Sequence, residues 1–265
     1  MTAEPLLKLR DIHKRFGGIA ALAGVNLDVP AGMVYGLIGP NGSGKTTLFN
    51  VITGFLRPDL GHVSFAGRKL DRLPPYRIAR LGLVRTFQAS LMPQRMTVME
   101  NMLLAPQHQL GERMLDAFAR PRAVNRQEHA NLERARELLE LVNLRAKADD
   151  YAGELSGGQK KLLALAQVLM AAPRLILLDE PVAGVNPRFI EEIVALIRRL
   201  RDEGHNFLIV EHNMKFIRSA CDRISVLDAG RIIAEGDAAE VLRRDDVLNA
   251  YLTRRPGTPD EAAAP

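Results

Sequence analysis

The sequence predicts an α/β fold with a mixed central sheet, an antiparallel β-subdomain at the N-terminus and an inserted α-helical subdomain. Three observations predict this arrangement. Apolar and polar residues alternate within the first 30 residues, which is typical of half-buried antiparallel strands. The segment from about 92 to 170 has helical periodicity, and a strand, helix and strand typical of a parallel sheet follow it.

The N-terminal strands are predicted at residues 7–10 and 25–29, and the alternation returns at residues 62–65. Between them, the apolar run Val34–Ile38 predicts a buried strand that leads into a glycine-rich loop.

That loop, residues 39–47, reads GPNGSGKTT and fits the pattern G-x-x-x-x-G-K-[ST]. The glycines let backbone N–H groups turn inward around an anion, Lys45 places a charge on the outer phosphates, and the Thr46 hydroxyl can ligate Mg²⁺. A helix starting near Lys45 adds its positive dipole end. The motif predicts binding of a nucleoside triphosphate with magnesium by Gly39, Pro40, Asn41, Gly42, Ser43, Gly44, Lys45, Thr46 and Thr47.

In the helical segment, one predicted helix face carries Leu132, Ala135, Leu138, Leu139 and Val142. The next strand is predicted at Leu175–Leu178. Asn186 and Pro187 then predict the cap and first residue of a helix that stops at Gly204, and Phe207–Val210 predicts a strand covered on both faces.

Two carboxylates, Asp179 and Glu180, end the strand at 175–178. Consecutive strand side chains point to opposite sides, so the two should have different roles. In a phosphate-loop enzyme the first is placed to hold Mg²⁺ and the second to accept a proton from attacking water. A polar strand end is the alternative interpretation.

The pentapeptide LSGGQ at residues 155–159 has two compatible interpretations. Ser156 and Gln159 form a helix capping box by their spacing. A helix start with two glycines also exposes N–H groups that suit a second phosphate-binding surface.

In this order and spacing, the loop, the pentapeptide and the carboxylate-ended strand resemble an ATP-binding cassette (ABC) ATPase, from about Leu6 to Leu252. The resemblance implies that Phe16 stacks on adenine, that Gln88 touches Mg²⁺ and senses a membrane partner, and that His212 is a switch histidine. It implies the catalytic residues Glu180, His212, Gln88 and Lys45, the metal ligands Thr46, Gln88 and Asp179, and ATP binding in trans by Ser156, Gly157, Gly158 and Gln159.

Within the family, residues 85–88, 96–101, 183–187 and 247–252 are similar to ATPases of branched-chain amino-acid importers. This implies transmembrane permease subunits, a second ATPase subunit of the same or a related kind, and a periplasmic or extracellular substrate-binding protein as partners. Other amino acids, urea, amides, aromatic acids and lipopolysaccharide export remain alternatives for the cargo. Asn186 stands where most ABC proteins carry Asp.

The composition limits the remaining classes. The 265 residues are 47% hydrophobic with a net charge of +5 and one cysteine, Cys221. No apolar run reaches the roughly 20 residues of a bilayer span, and no secretory signal is recognised, so we expect a peripheral protein on the cytoplasmic face of the inner membrane. Basic residues are scattered among acidic ones, and no nucleic-acid partner is expected. A soluble ABC ATPase acting on DNA or ribosomes and a non-catalytic regulatory subunit are the alternatives.

The predicted domain plan is one ABC ATPase domain at 1–255. Its core and β-subdomain comprise residues 1–90 and 172–255, its helical subdomain comprises 91–171, and a disordered tail follows at 256–265.

Overall fold

The computed structural model describes residues 4–86, 92–112, 119–245 and 247 of the 265-residue chain. The strands within those ranges are β1 (Leu7–Phe16), β2 (Ile19–Val29), β3 (Val34–Ile38), β4 (Leu60–Phe65), β5 (Arg68–Lys69), β6 (Leu83–Arg85), β7 (Leu175–Asp179), β8 (Phe207–Val210), β9 (Arg223–Asp228) and β10 (Arg231–Asp237). The helices are α1 (Lys45–Ile52), α2 (Pro75–Arg80), α3 (Val98–Leu103), α4 (Pro121–Leu141), α5 (Gly157–Met170), α6 (Pro187–Asp202), α7 (Met214–Ala220) and α8 (Ala238–Val241). Single 3₁₀ turns lie at Leu110–Glu112, Arg145–Lys147 and Ala152–Glu154.

The strands form two sheets. The N-terminal sheet is antiparallel, with strand order β2-β1-β4-β5. The central sheet has the order β10-β9-β3-β8-β7-β6, in which β10 is antiparallel to β9 and the other neighbours are parallel. The predicted α/β fold with a mixed sheet and an N-terminal antiparallel sheet is confirmed.

Successive side chains of the central strands enter two different hydrophobic cores. Ile176 and Leu178 of β7 belong to a core shared with α5 and α6. Leu175 and Leu177 belong to a core shared with α1 and the N-terminal sheet. Because helices or a second sheet cover both faces, β3 and β8 are buried at every position.

The predicted helical insertion corresponds to α3, α4 and α5, which follow one another between β6 and β7. The buried face of α4 has Ala135, Leu138 and Leu139 in the first core, and Leu132 is only partly buried. The subdomain limits at residues 91 and 171 remain a prediction, and the predicted tail lies outside the described residues.

Local capping explains where several helices begin. Thr97 and Glu100 form a reciprocal capping box at α3. Asn186 caps α6 through its side chain, with Pro187 at the first helical position, as predicted. This helix ends at Asp202, just before Gly204, whose φ of +95° is the left-handed conformation that favours glycine.

Cys221 directly follows α7 and is its C-terminal cap residue. It is buried, and burial raises the pKa of its thiol above the ordinary value. None of the helices in the described ranges has the length and apolar content required to span a bilayer.

Candidate nucleotide site

The glycine-rich loop joins the buried strand β3 to helix α1, and two of its glycines cannot be replaced without a clash. A Cβ on Gly39 would lie 2.0 Å from the Leu227 carbonyl oxygen of β9. Gly44 caps α1 with a φ of +107°, and its Cβ would lie 2.5 Å from the Ala21 carbonyl oxygen. Contacts from β2 and β9 therefore fix the shape of the loop from behind, and α1 starts at Lys45 as predicted.

Lys45 places its ammonium group inside this loop. The side chain is only 9% exposed, and Nζ donates hydrogen bonds to the carbonyl oxygens of Gly39 and Pro40, at 2.8 and 2.9 Å. Burial lowers the pKa of Lys45, and the nearby carboxylates of Glu180 and Asp179 oppose that shift. An ammonium group has three N–H donors, so one stays available for a phosphate oxygen.

Ser43 supplies a second observation that fits an anion. Its hydroxyl oxygen is buried and has no hydrogen-bond partner among the described residues. Buried polar atoms are normally paired, so an unpaired hydroxyl in the loop that also holds the Lys45 ammonium group suits the uptake of phosphate oxygens.

The two carboxylates at the end of β7 lie in different environments. Asp179 is mostly buried, and its Oδ2 accepts a hydrogen bond from Arg85. Glu180 lies past the strand with a φ of +48°, and its side chain is 49% exposed. Both line a cavity of about 340 Å³ together with Thr46. The strand end therefore presents an acidic edge to the start of α1.

His212 faces Glu180 across this edge, with 3.7 Å between His212 Nδ1 and Glu180 Oε1. The backbone around the histidine is held by Glu211, a fully buried carboxylate that sequence reasoning missed. Glu211 accepts hydrogen bonds from the backbone N–H groups of Val182, His212 and Asn213. The available signal was an acidic residue directly after the continuously apolar strand β8.

Lys161, on the second turn of α5, is another residue that the sequence reasoning missed. Its Nζ donates to the carbonyl oxygen of Glu180, the residue with the left-handed backbone. Burial lowers the pKa of Lys161, while the carboxylates of Glu211, Glu180 and Asp179 oppose the shift. This bond attaches α5 to the backbone of the acidic edge.

The LSGGQ segment begins α5 and forms the predicted capping box. The Ser156 side chain accepts from Gln159 N, and the Gln159 side chain accepts from Ser156 N. A Cβ on Gly158 would lie 2.8 Å from the Phe189 ring of α6, whereas a Cβ on Gly157 would meet open space. Among the described residues, no hydrogen bond or ion pair joins Ser156–Gln159 to Gly39–Thr47.

Phe16, the predicted adenine-stacking residue, lies at the margin of the site. Phe16 ends β1 and is 51% exposed, with Lys14 Nζ 5.8 Å from the centroid of its ring. The neighbouring strand β2 passes behind Gly44, which places this hairpin next to the phosphate loop. Gln88 lies outside the described residues, so its predicted role is not tested.

The family model described as ABC transporter matches residues 22–183, more than half of the chain. The chain belongs to the ABC transporter family. The resemblance predicted from the phosphate loop, the LSGGQ segment and the carboxylate-ended strand is thereby confirmed. This ABC protein is an ATPase subunit that binds nucleotide.

Its curated relatives cover nearly the whole chain. It is 41% identical to the high-affinity branched-chain amino acid transport ATP-binding protein BraF of Pseudomonas aeruginosa, over 94% of this chain and 98% of that protein. It is 40% identical to the probable branched-chain amino acid transport ATP-binding protein LivG of Archaeoglobus fulgidus, over 93% and 95% of the two chains.

Solved structures of ABC cassettes share the fold. The ADP conformation of MJ1267, an ATP-binding cassette of an ABC transporter, superimposes with a TM-score of 0.80 at 36% identity, covering 94% of this chain and 99% of that one. The cassette MJ0796, solved as a dimer in a post-hydrolysis state with ADP and Pi, gives a TM-score of 0.72 at 26% identity, covering 88% and 98%.

Proposed function

We propose that this ABC ATPase closes on ATP as a pair of subunits and drives a membrane permease that transports branched-chain amino acids. The observation that carries the proposal is the division of the site. Lys45, Asp179, Glu180 and His212 converge at one sheet edge, whereas no hydrogen bond or ion pair among the described residues joins the capped glycines at Ser156–Gln159 to the phosphate loop. Each chain would then supply one half of each of two sites, and the partner subunit would supply the other half.

Within one half, we assign each residue by its position. Lys45 and the loop N–H groups bind the outer phosphates. Glu180 accepts the proton of the attacking water, because its carboxylate is exposed at the edge of the cavity. His212, 3.7 Å away, stabilises charge on the transferring phosphoryl group. Phe16 stacks on adenine, and Gln88 links the site to the permease.

Thr46 and Asp179 are the residues that fit magnesium. No group of three or more His, Cys, Asp or Glu side chains in the described ranges could hold a metal by itself. Mg²⁺ commonly takes one or two protein oxygens and completes its shell with phosphates and water. A hydroxyl and a carboxylate bordering one cavity meet that need. When bound, Mg²⁺ would neutralise charge that develops on the β- and γ-phosphate oxygens.

We expect Ser156→Arg to abolish ATP-induced pairing without weakening ATP binding by the single chain. The exposed helix start would receive the γ-phosphate of the partner subunit, and an arginine there replaces the cap and fills the space above Gly157. Size-exclusion chromatography with light scattering, in a Glu180→Gln background that retains ATP, measures the pairing.

Ser219→Arg is the matched control, since Ser219 is an exposed serine on another helix, α7. Native pairing by the Ser156→Arg variant would contradict the shared site. The same experiment with only this chain present also shows whether two copies suffice or a related second subunit is required.

The permease would dock in a groove of about 370 Å³ between the core and the helical segment. Met92 and Pro93, which belong to the predicted docking region at 88–101, line this groove together with Leu104, Ala105 and Gln107. An apolar groove with few polar groups suits a helix of a membrane partner. We place the subunit on the cytoplasmic face of the inner membrane, with a substrate-binding protein on the opposite side and no nucleic-acid partner.

The cargo follows from the relatives, whose names specify branched-chain amino acid transport. The test is uptake by proteoliposomes containing this chain, its copurified permease and binding protein, with ATP inside. We expect leucine, isoleucine and valine to be taken up in preference to urea, short amides and aromatic acids. Uptake of one of the latter instead would reassign the cargo and leave the ATPase mechanism intact.

A further inference from the structure

Arg85, at the end of β6, connects the phosphate-loop helix to the predicted metal ligand. Its Nη1 donates to Asn50 Oδ1 at 2.7 Å, and its Nη2 donates to Asp179 Oδ2. The guanidinium carbon also lies 5.5 Å from the ring centroid of Phe49 on α1. Three contacts hold the side chain, which is only 18% exposed. Its position beside Asp179 is therefore well defined.

The ion pair changes the charge that Asp179 offers to a metal. One carboxylate oxygen is occupied by a cation, and the pair is largely shielded from water, with side chains 18% and 19% exposed. Charges that are partly buried are screened much less than charges in solvent. A divalent cation on the other oxygen of Asp179 would be repelled by the guanidinium.

Two opposite effects on metal binding have to be compared. By holding Oδ2, Arg85 fixes the orientation of the Asp179 carboxylate, and this favours metal binding. The ordering of one short side chain is a small gain. Repulsion between a guanidinium and a divalent ion that share one carboxylate is larger at a partly buried site. Repulsion should therefore prevail.

We propose that Arg85 is a positioning residue that weakens the hold of Asp179 on Mg²⁺, so that the metal is retained only while a triphosphate shares it. The inference rests on the proposed assignment of Asp179 as a magnesium ligand. After hydrolysis the γ-phosphate no longer contributes oxygens, and the Arg85 charge then favours departure of Mg²⁺ with ADP. Arg85 would speed the resetting of the site.

The test measures how strongly Mg²⁺ increases ADP affinity in the isolated full-length chain. A fluorescent ADP analogue is titrated in Mg²⁺ and in EDTA, and the ratio of the two dissociation constants is the readout. In a parallel titration with Mn²⁺, electron paramagnetic resonance measures the free metal, and the difference from the total gives the bound metal. The isolated chain is used because Arg85 also borders the permease groove.

Three variants at Arg85 separate charge from packing. Arg85→Gln and Arg85→Met both remove the charge, and the methionine keeps an apolar stem over Phe49. Arg85→Lys keeps the charge. Because the repulsion is removed, we expect the two neutral variants to raise the Mg²⁺/EDTA affinity ratio by about tenfold, which corresponds to about 1.4 kcal/mol. The lysine variant should stay within about threefold of the native ratio.

Asp179→Asn separates failure of the Arg85 inference from failure of the magnesium assignment. If Asp179→Asn lowers the ratio while both neutral Arg85 variants leave it unchanged or lower it, the Arg85 inference is wrong and the magnesium assignment stands. If Asp179→Asn leaves the ratio unchanged, the magnesium assignment fails and the Arg85 inference fails with it. A raised ratio in Arg85→Lys as well would also overturn it, because the charge would then be irrelevant.

Discussion

Glu180→Gln is expected to lower ATP turnover by about 10²- to 10⁴-fold, the usual contribution of a general base. Glutamine keeps the shape of the side chain and cannot accept a proton from water. The Glu180 side chain is 49% exposed, and the hydrogen bonds that hold this residue are made by its backbone N–H and carbonyl groups, which the substitution keeps. ATP binding and the free energy of unfolding should therefore change little. Steady-state phosphate release, paired with nucleotide titration, measures both quantities.

Glu191→Gln on the exposed face of α6 is the matched control, because it makes the same chemical change away from the cavity. Turnover at the native rate by Glu180→Gln would remove Glu180 from the mechanism. In that case His212, whose Nδ1 lies 3.7 Å from Glu180 Oε1, would become the next candidate to test.

Lys45→Ala is expected to weaken ATP affinity by about 10- to 100-fold, which corresponds to one charge-assisted hydrogen bond of roughly 1.5–3 kcal/mol. The ammonium group lies inside the loop, where its positive charge faces both Asp179 and Glu180. The variant therefore loses a hydrogen-bond donor to the phosphates, and the negative charges of Asp179 and Glu180 lose a nearby positive charge. A nucleotide titration in Mg²⁺ measures the affinity.

Because burial lowers the pKa of Lys45, keeping it charged in the fold has a cost. Its removal should therefore not unfold the chain, and circular dichroism checks this. Lys69→Ala, an exposed lysine on β5, serves as the control for loss of one positive charge. Unchanged ATP affinity of Lys45→Ala would contradict the phosphate-binding role.

Local features of the site could be predicted because neighbouring residues determine them. The phosphate loop, the start of α1 at Lys45, the capping box at Ser156 and the strand Phe207–Val210 lie where the sequence predicted them. Each depends on glycine geometry, a side-chain cap or an unbroken apolar run, which act over a few residues.

Contacts between distant segments could not be predicted in this way. Arg85 and Asp179 are separated by 94 positions, and Lys161 reaches Glu180 across 19. The first pairing depends on β6 lying beside β7 in the sheet, and the second depends on the packing of α5 against β7; no local pattern specifies either. The same holds for Gly39, whose need for glycine comes from the Leu227 carbonyl of β9.

The bond between Lys161 and the Glu180 carbonyl has a consequence for cooperativity. Lys161 lies on the same helix as Ser156, about one turn further along, so the surface that we propose for a partner subunit is connected to the backbone of Glu180, the proposed general base. In the proposed pair, contact of Ser156 with the ATP bound by the partner subunit would move Lys161, and with it the backbone of Glu180 at the chain's own ATP. Hydrolysis at one site would then depend on the state of the other, and the rate of hydrolysis would depend cooperatively on ATP concentration.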